Sequence, residues 1–561
     1  MPGRQASDLK HYAVFDLSGG LDIKTSPLKR AVAARQDALV MARNCVLSTA
    51  GAVTKRFDAP RVTVRAVDAP EADNTIAFVI TGGLGDFITP TNSQFIPTSG
   101  YLDDAGEFVS TVAITGGREY AKSDGTRMSV FGTTEGKLYK LNSDGSTTML
   151  EDTYTTGTKW YFEQYNDLLL IGNRADAPQK FDGTTVANLG GSPPNAGGPV
   201  AVHGNRVFWL NGTTKSDLTW SALDDEEDYT TPTNAGAVTV SRNDGSDLKD
   251  LVPSVNELVL LKGARPYRLQ GTSPATFTIT NVVPTTGSVG AISTQAALFA
   301  LNDVWYLGSP GLTRLTAVQG FGDLRESFPS APIQPYFEDG TDFTLSLANL
   351  DDAVMAYDSQ RNRVYLAVDN DADGKNDTIL CYDGATKGWT VWDHLSVASM
   401  WTVKNVATGQ TEIYVGGYDG HIRVLNRNVA ENAIDAEARH LSALGSPGVE
   451  KSIRHGFIYL KEQGNTTVRV DTKFDFGATG GQTFNVSQLG SSHTLGINWV
   501  LGTDPLGVQS QIVKRINIHG TGEFVEIGVR NANAGEGFTW YGMELFYRDK
   551  RVIRRGTGVA V

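Results

Sequence analysis

From Ser129 to Asn426 the chain returns, about every 40 to 60 residues, to one hairpin pattern. Each copy carries a turn of Asn, Asp, Gly or Arg, then a short apolar strand, then a second strand with an aromatic. Examples are Asn166-Asp167-Leu168-Leu169-Leu170-Ile171, Asn205-Arg206-Val207-Phe208-Trp209-Leu210 and Asn256-Glu257-Leu258-Val259-Leu260-Leu261. Asn302-Asp303-Val304-Trp305-Tyr306-Leu307, Asn362-Arg363-Val364-Tyr365-Leu366 and Thr411-Glu412-Ile413-Tyr414-Val415 continue the series. A β unit this short cannot bury its own apolar face and must stack on its neighbours, which points to a blade-like repeat and a propeller. Propellers serve mostly as platforms, so any catalysis has to be argued from a site.

At 561 residues the chain exceeds what one core supports, and two or three domains are expected. Its 61 glycines are spread as many short strands with tight turns require. A net charge of −13 argues against a basic face that wraps nucleic acid. Cys45 and Cys381 sit in unrelated contexts and suggest reduced thiols. The opening Met1-Pro2-Gly3-Arg4-Gln5 lacks a signal peptide's apolar core, and no apolar run reaches the roughly 18 residues of a membrane helix, so a protein soluble when made is expected.

Four segments are expected. Residues 1–65 read as an N-terminal arm that docks on a neighbouring subunit, with a helix-compatible stretch from Pro27 to Val46 and a hairpin ending in Lys55-Arg56. Residues 66–430 read as the propeller of six or seven blades, with early strands at Ile76–Ile80 and Val109–Thr115 and a Gly/Pro connector from Val186 to Pro199. Residues 431–452 read as a short helical or irregular linker, and 453–561 as an antiparallel β-sandwich with period-2 alternation. The fold class is all-β. The triplets Phe181-Asp182-Gly183, Tyr382-Asp383-Gly384 and Tyr418-Asp419-Gly420 suit tight turns in which Gly takes positive φ and Asp bonds the turn backbone.

The eight histidines form no zinc-type spacing, and neither a nucleophile elbow nor a phosphate loop is present. The run Asp224-Asp225-Glu226-Glu227-Asp228 could supply paired acids for glycoside hydrolysis, but adjacent like charges fit a solvated inter-blade loop better. Asp369, Asp371, Asp373 and Asp377, in Asp369-Asn370-Asp371-Ala372-Asp373-Gly374-Lys375-Asn376-Asp377, could gather oxygens around Ca²⁺. Leu380 stands where a calcium hand would place a bidentate Glu, so the alternatives are a calcium-holding hairpin tip and an ion-free Asp/Asn-rich loop. Either way the loop performs no chemistry.

In the order of its parts the chain resembles the tail hub or nozzle proteins of short-tailed bacteriophages, also called packaged-DNA stabilisation proteins. The resemblance rests on Gly19-Gly20-Leu21 with Gly51-Ala52-Val53-Thr54-Lys55-Arg56, on Phe131-Gly132 with Gly136-Lys137-Leu138-Tyr139, and on Lys180-Phe181-Asp182-Gly183 before the Pro-rich connector. It continues through Arg206-Val207-Phe208-Trp209, Trp220-Ser221 and the acidic run, then Asn256–Leu261 with Arg265-Pro266-Tyr267. Gly287-Ser288-Val289-Gly290, Asn362-Arg363-Val364-Tyr365, Lys514-Arg515 and Trp540 to Arg548 complete it. The 369–377 loop has no counterpart in that pattern, so no calcium role is carried over.

The resemblance implies a non-enzymatic structural role: a homohexameric ring below the portal and adaptor, lining a DNA channel, retaining the genome and connecting to fibres or needle. It implies a virion tail component assembled in the host cytoplasm, with no required cofactor, no membrane, and DNA in transit without sequence-specific binding. Six copies would carry about −78 formal charges, and a wall that repels phosphates lets DNA slide. The 224–228 run is the expected lumen-facing element. The rival readings are a carbohydrate-active propeller with two carboxylates in its central cavity, and a calcium-stabilised adhesion propeller.

Overall fold

Local chemistry explains the hairpins. Asn166, Asn205, Asn302 and Asn362 all take left-handed φ (52°, 57°, 63° and 59°), each between the first and second strands of a meander. Asn tolerates that region because its short polar side chain bonds locally. In the later turns the Asp182 carboxylate accepts the N–H groups of Thr184 and Thr185, both at 2.8 Å, beside Gly183 at φ 99°. Asp383 accepts those of Ala385 and Thr386 in the same way.

The computed structural model describes residues 9–25, 36–67, 100–102, 108–282, 289–318, 323–338, 345–427, 433–444, 449–463, 466–477, 479–489 and 511–552. The expected strand at Ile76–Ile80 and the first half of the 287–290 motif lie outside them. The chain is nearly all-β, with six four-stranded blades in a propeller arrangement over residues 114–151, 161–188, 197–239, 248–281, 297–327 and 354–392. A three-stranded sheet, 399–424, sits between the sixth blade and the first, its strand Ser399–Lys404 packed on Ile114–Ala121. The expected connector at 186–199 is shorter than read, because Val186–Asn188 ends one blade and Gly197–His203 opens the next. Aromatics join the blades: Tyr120 meets Phe181 edge-on at 5.4 Å, and Trp305 meets Tyr382 at 5.3 Å.

The ring closes through a distant segment. Val62 N–H donates to Ile422 O at 2.7 Å, Val424 N–H to Pro60 O at 3.0 Å and Val67 N–H to Gly420 O at 2.9 Å. Residues 60–67 thereby run along the edge of the three-stranded sheet. Thr63 Oγ1 lies 2.9 Å from His421 Nδ1, and burial, helped by Arg61, holds that imidazole down to about 4, so it is neutral at pH 7. Val67 fills the join among Ile114, Phe131 and Ile422.

The segment before this closure is also claimed by the chain's own sheets. Lys10–Val14 pairs with Thr539–Val552, and Val53–Lys55 pairs with both Cys45–Leu47 and Thr539–Val552. Met41–Arg43 lies parallel to the sixth blade's Gly388–Trp392 and antiparallel to Ala436–Ala443, so one nine-stranded sheet runs from blade to C-terminal region. The expected arm over 1–65 is thus built into the body over its described residues. The expected helix is corrected to strands from Ala38 onward, because Leu39, Ala42, Cys45 and Leu47 each fill the core and Asn44 breaks the path at φ 52°. The expected linker 431–452 is corrected too: Ala436–Ala443 is a buried central strand with partners on both sides.

Two C-terminal sheets share one core. Ile458, Leu460, Trp540, Met543 and Leu545 meet Val468, Val470, Val525, Ile527 and Val529, and the same cluster continues into Trp305, Leu366 and Trp389 of the propeller. Ions lock the junction: Arg43 bonds Asp435 and approaches Asp393 at 3.4 Å, while Arg530 grips Asp435 with bonds of 2.7 and 2.6 Å. Both cysteines are buried free thiols. Val67→Ala is expected to cost about 2 kcal/mol through the cavity it leaves. Urea unfolding followed by tryptophan fluorescence measures this, and an unchanged midpoint would show that the 60–67 closure carries no load.

Candidate functional site

The inner strands of the blades and of the three-stranded sheet converge on an axial cavity of about 870 Å³. Consecutive residues of the inner strands line it, among them 116–119, 160–164, 250–253 and 399–404. One mouth is capped by bonds that span it. Gln295 Nε2, at the entry to the fifth blade, donates to Thr115 O at 2.9 Å and Trp160 O at 3.0 Å in the first and second blades. Tyr161 O–H donates to Thr294 Oγ1 at 2.8 Å, and Lys159 pairs with Asp352 at 2.8 Å. The inner strands all enter at this end, so the cavity is open toward their other ends.

The charges in the cavity are unequally matched. Arg118 grips Glu163 with two bonds, 2.7 and 3.0 Å. Burial pushes the Glu163 carboxyl up, and Arg118 only partly offsets it. Glu119 pairs with Arg127 at 3.1 Å. Asp250 differs: among the described residues its carboxylate has a single hydrogen bond, from Leu251 N–H at 2.8 Å. Burial pushes Asp250 up to about 8, with only that bond and the more distant Arg174 opposing. Arg174 itself is committed to Leu248 O and Lys249 O, both at 2.9 Å. Half-exposed Leu298, Tyr357 and Met400 and exposed Phe299 form an apolar wall. No sequence pattern marks Asp250; only the convergence of strands gives it an axial position.

The expected calcium residues come together in part. Asp369, Asp371 and Asp373 place carboxylate oxygens within 4.8 Å of one another. Asp369 is buried and accepts from Asn349 Nδ2 and from the N–H groups of Asp371, Ala372 and Gly374. Burial opposes its ionisation, yet those bonds hold its carboxyl below the usual range. Asp377 stands apart from the trio, accepting Asn370 N–H at 3.2 Å, with its carboxyl raised by burial. The loop is therefore shaped by its own hydrogen bonds.

The acidic run follows the third strand of the third blade and does not line the axial cavity. Glu227 binds Lys180 Nζ at 2.7 Å and accepts Gly190 N–H at 2.8 Å, while Asp228 accepts the N–H groups of Thr230 and Thr231. Asp224 accepts Asn205 Nδ2 at 2.8 Å, and Asp225 accepts Glu227 N–H at 3.0 Å. These carboxylates organise loops.

A second surface lies on the outer face of the seven-stranded C-terminal sheet. His455 stacks on Phe546 at 4.7 Å, Phe457 meets that ring edge-on at 5.8 Å, His11 lies 5.2 Å from it, and Phe15 meets Tyr459 at 5.0 Å. All are partly or largely exposed. An aromatic row on the solvent side of a sheet is a docking feature.

No family model matches the chain, and no curated protein does. Solved structures similar to it include the extracellular domain of the one-component system BT4673 from B. thetaiotaomicron, at 12% identity and TM-score 0.38 over 64% of this chain and 42% of that one. The WD40 β-propeller domain of Doa1 is similar at 10% identity and TM-score 0.36, over 56% of this chain and 97% of the domain. BamB from Moraxella catarrhalis is similar at 13% identity and TM-score 0.34, over 57% and 84%. The chain spans less than half of the BT4673 domain. These are generic propellers and bear on no function.

Asp250 makes a pH prediction. With a folded pKa above the unfolded value, its contribution to stability is full below about pH 4 and is lost as pH rises toward 8. Asp250→Asn is expected to raise the thermal midpoint at pH 7.5, with the gain shrinking toward pH 4. An equal midpoint at both pH values would place the carboxyl in bulk-like solvent.

Proposed function

We propose that this chain is a structural component of a phage tail nozzle, a ring-forming segment that lines the DNA path below portal and adaptor, holds the packaged genome and connects to fibres or needle. The observation that carries the reading is the fusion of propeller and C-terminal sheets into one body through Met41–Arg43, together with the exposed aromatic face on the far sheet. A stiff body with two unlike faces suits head-to-tail closure of a ring. In this reading the C-terminal sheets act as a sandwich that contacts the neighbouring copy, and six copies enclose the conduit between them. The propeller axis is capped at one mouth, so in this reading passage belongs to the space between subunits. The net charge of −13 per copy supports passage by repulsion.

The test is assembly. Mixed with portal and adaptor, the wild type is expected to form a six-fold ring in negative-stain images. Phe457→Ser with Tyr459→Ser is expected to weaken assembly at least tenfold while leaving circular dichroism unchanged. Particles without this chain that keep and deliver their genomes normally would overturn the reading.

The oxygen trio at Asp369, Asp371 and Asp373 favours a secondary role for the 369–377 loop as a Ca²⁺-stiffened hairpin tip. Calcium at about 100 times its dissociation constant would stabilise the fold by about 2.7 kcal/mol. The expected result is a rise in thermal midpoint with millimolar Ca²⁺ that Asp371→Asn abolishes; indifference to both calcium and chelator removes this role.

A further inference from the structure

The axial cavity has the build of a ligand site and needs an occupant of defined chemistry. Its volume, about 870 Å³, falls in the range of small-molecule pockets. Its capped mouth makes it a blind pocket. The tunnel-like openness expected of a bare propeller axis is interrupted by Gln295 and by the Tyr161–Thr294 and Lys159–Asp352 pairs.

Matching donors and acceptors selects the ligand. Arg118 is occupied by Glu163 and Glu119 by Arg127, so neither pair offers a spare charge. Lys404 is exposed at the open end. Asp250 alone has a carboxylate with one backbone donor and no ion-pair partner among the described residues. When ionised it only accepts hydrogen bonds, and a desolvated acceptor is satisfied most strongly by a charged donor. Beside it, Leu298, Phe299, Tyr357 and Met400 present apolar and aromatic surface to the same space. A carboxylate next to aromatic and aliphatic walls suits a cation on a short hydrocarbon chain, held by an ion pair at one end and by cation–π and apolar contact along its length. An anion would face Glu163 and would oppose ionisation of Asp250, and an uncharged sugar would give that ionisation no counter-charge.

We infer that the axial cavity binds a small organic ammonium ion, with Asp250 as its counter-ion and the Phe299–Tyr357–Met400 wall holding its alkyl chain. The inference is independent of the tail reading, because it rests on the propeller axis alone. Binding moves one proton: the neutral Asp250 carboxyl releases its proton to solvent as the ammonium arrives, and the pair forms between carboxylate and R–NH₃⁺. Arg174, Arg118, Glu163, Glu119 and Lys404 are the other charged groups around that space; the first four already have protein partners, and Lys404 stands exposed at the open end.

Isothermal titration of the full chain with 1,4-diaminobutane and with butylamine tests it, using 1-butanol as the uncharged control. Saturable binding of both amines and none of the alcohol is expected. The measured heat should change with the buffer's ionisation enthalpy at pH 7, reporting the released proton. Asp250→Asn should weaken binding at least tenfold and remove the buffer dependence, and Phe299→Ser should weaken butylamine binding while leaving the proton release intact. Circular dichroism of each variant confirms folding. Absence of amine binding in the folded wild type, or equal affinity in Asp250→Asn, overturns the proposal. A lysine-containing peptide that competes with butylamine would identify a protein side chain as the source of the ammonium; failure to compete would identify a free amine.

Discussion

A ring of sheets is stable only when its last member meets its first, since each blade buries one face against the next. Here the meeting depends on residues 60–67, which hydrogen-bond along Ile422–Val424 and place Val67 among Ile114, Phe131 and Ile422. The edge groups of the three-stranded sheet would otherwise face water unpaired. Everything upstream inherits this constraint. The chain must leave the closure and travel back, and it does so as short strands lodged in both C-terminal sheets. Propeller and C-terminal region therefore cannot separate without pulling apart a sheet that belongs to both.

This threading also explains why the junction tolerates so much charge. Arg43, Arg530, Asp393 and Asp435 come from four distant stretches and bond one another where the parallel pair Arg43–Val391 crosses between the bodies. These side chains are only partly buried, and each is bonded to an opposite charge, Asp435 by two arginines at once. The network is thus a register mark: the strands fit in one alignment, because a one-residue slip would turn every side chain to the opposite face.

Convergence has a second consequence at the axis. Inner strands that arrive from every blade bring polar side chains into one confined space, where ionisation of carboxyls is opposed. Glu163 finds Arg118; Asp250 finds only a backbone amide. The cross-axis cap closes one mouth of that space. The propeller centre is a space of ligand size, and in the proposed tail reading a conduit would come from packing several copies together.

The hairpins were legible because their cause is local. Asn at the first turn of a blade and Asp-Gly at a later one report a left-handed backbone position and a side chain that bonds the turn, whatever surrounds them. The alternation in 449–552 was legible for a similar reason, since one face of each strand meets a core. The N-terminal segment was not legible. Strands of two or three residues, such as Ala38–Leu39 and Cys45–Leu47, carry too few positions to show a period, and their conformation comes from the sheets that receive them. The same holds for Ala436–Ala443, whose mixed composition suggested a helix or linker until partners on both sides made it a central strand.

The residues alone determined an all-β chain of stacked hairpins, because turn chemistry and apolar alternation act over a few positions. Tertiary structure decided how the ring closes, where residues 9–25 and 36–67 go, and which carboxyl stands unmatched at the axis. Those outcomes depend on segments hundreds of residues apart meeting in space, and no local preference of Val67, Arg43 or Asp250 encodes its eventual neighbours.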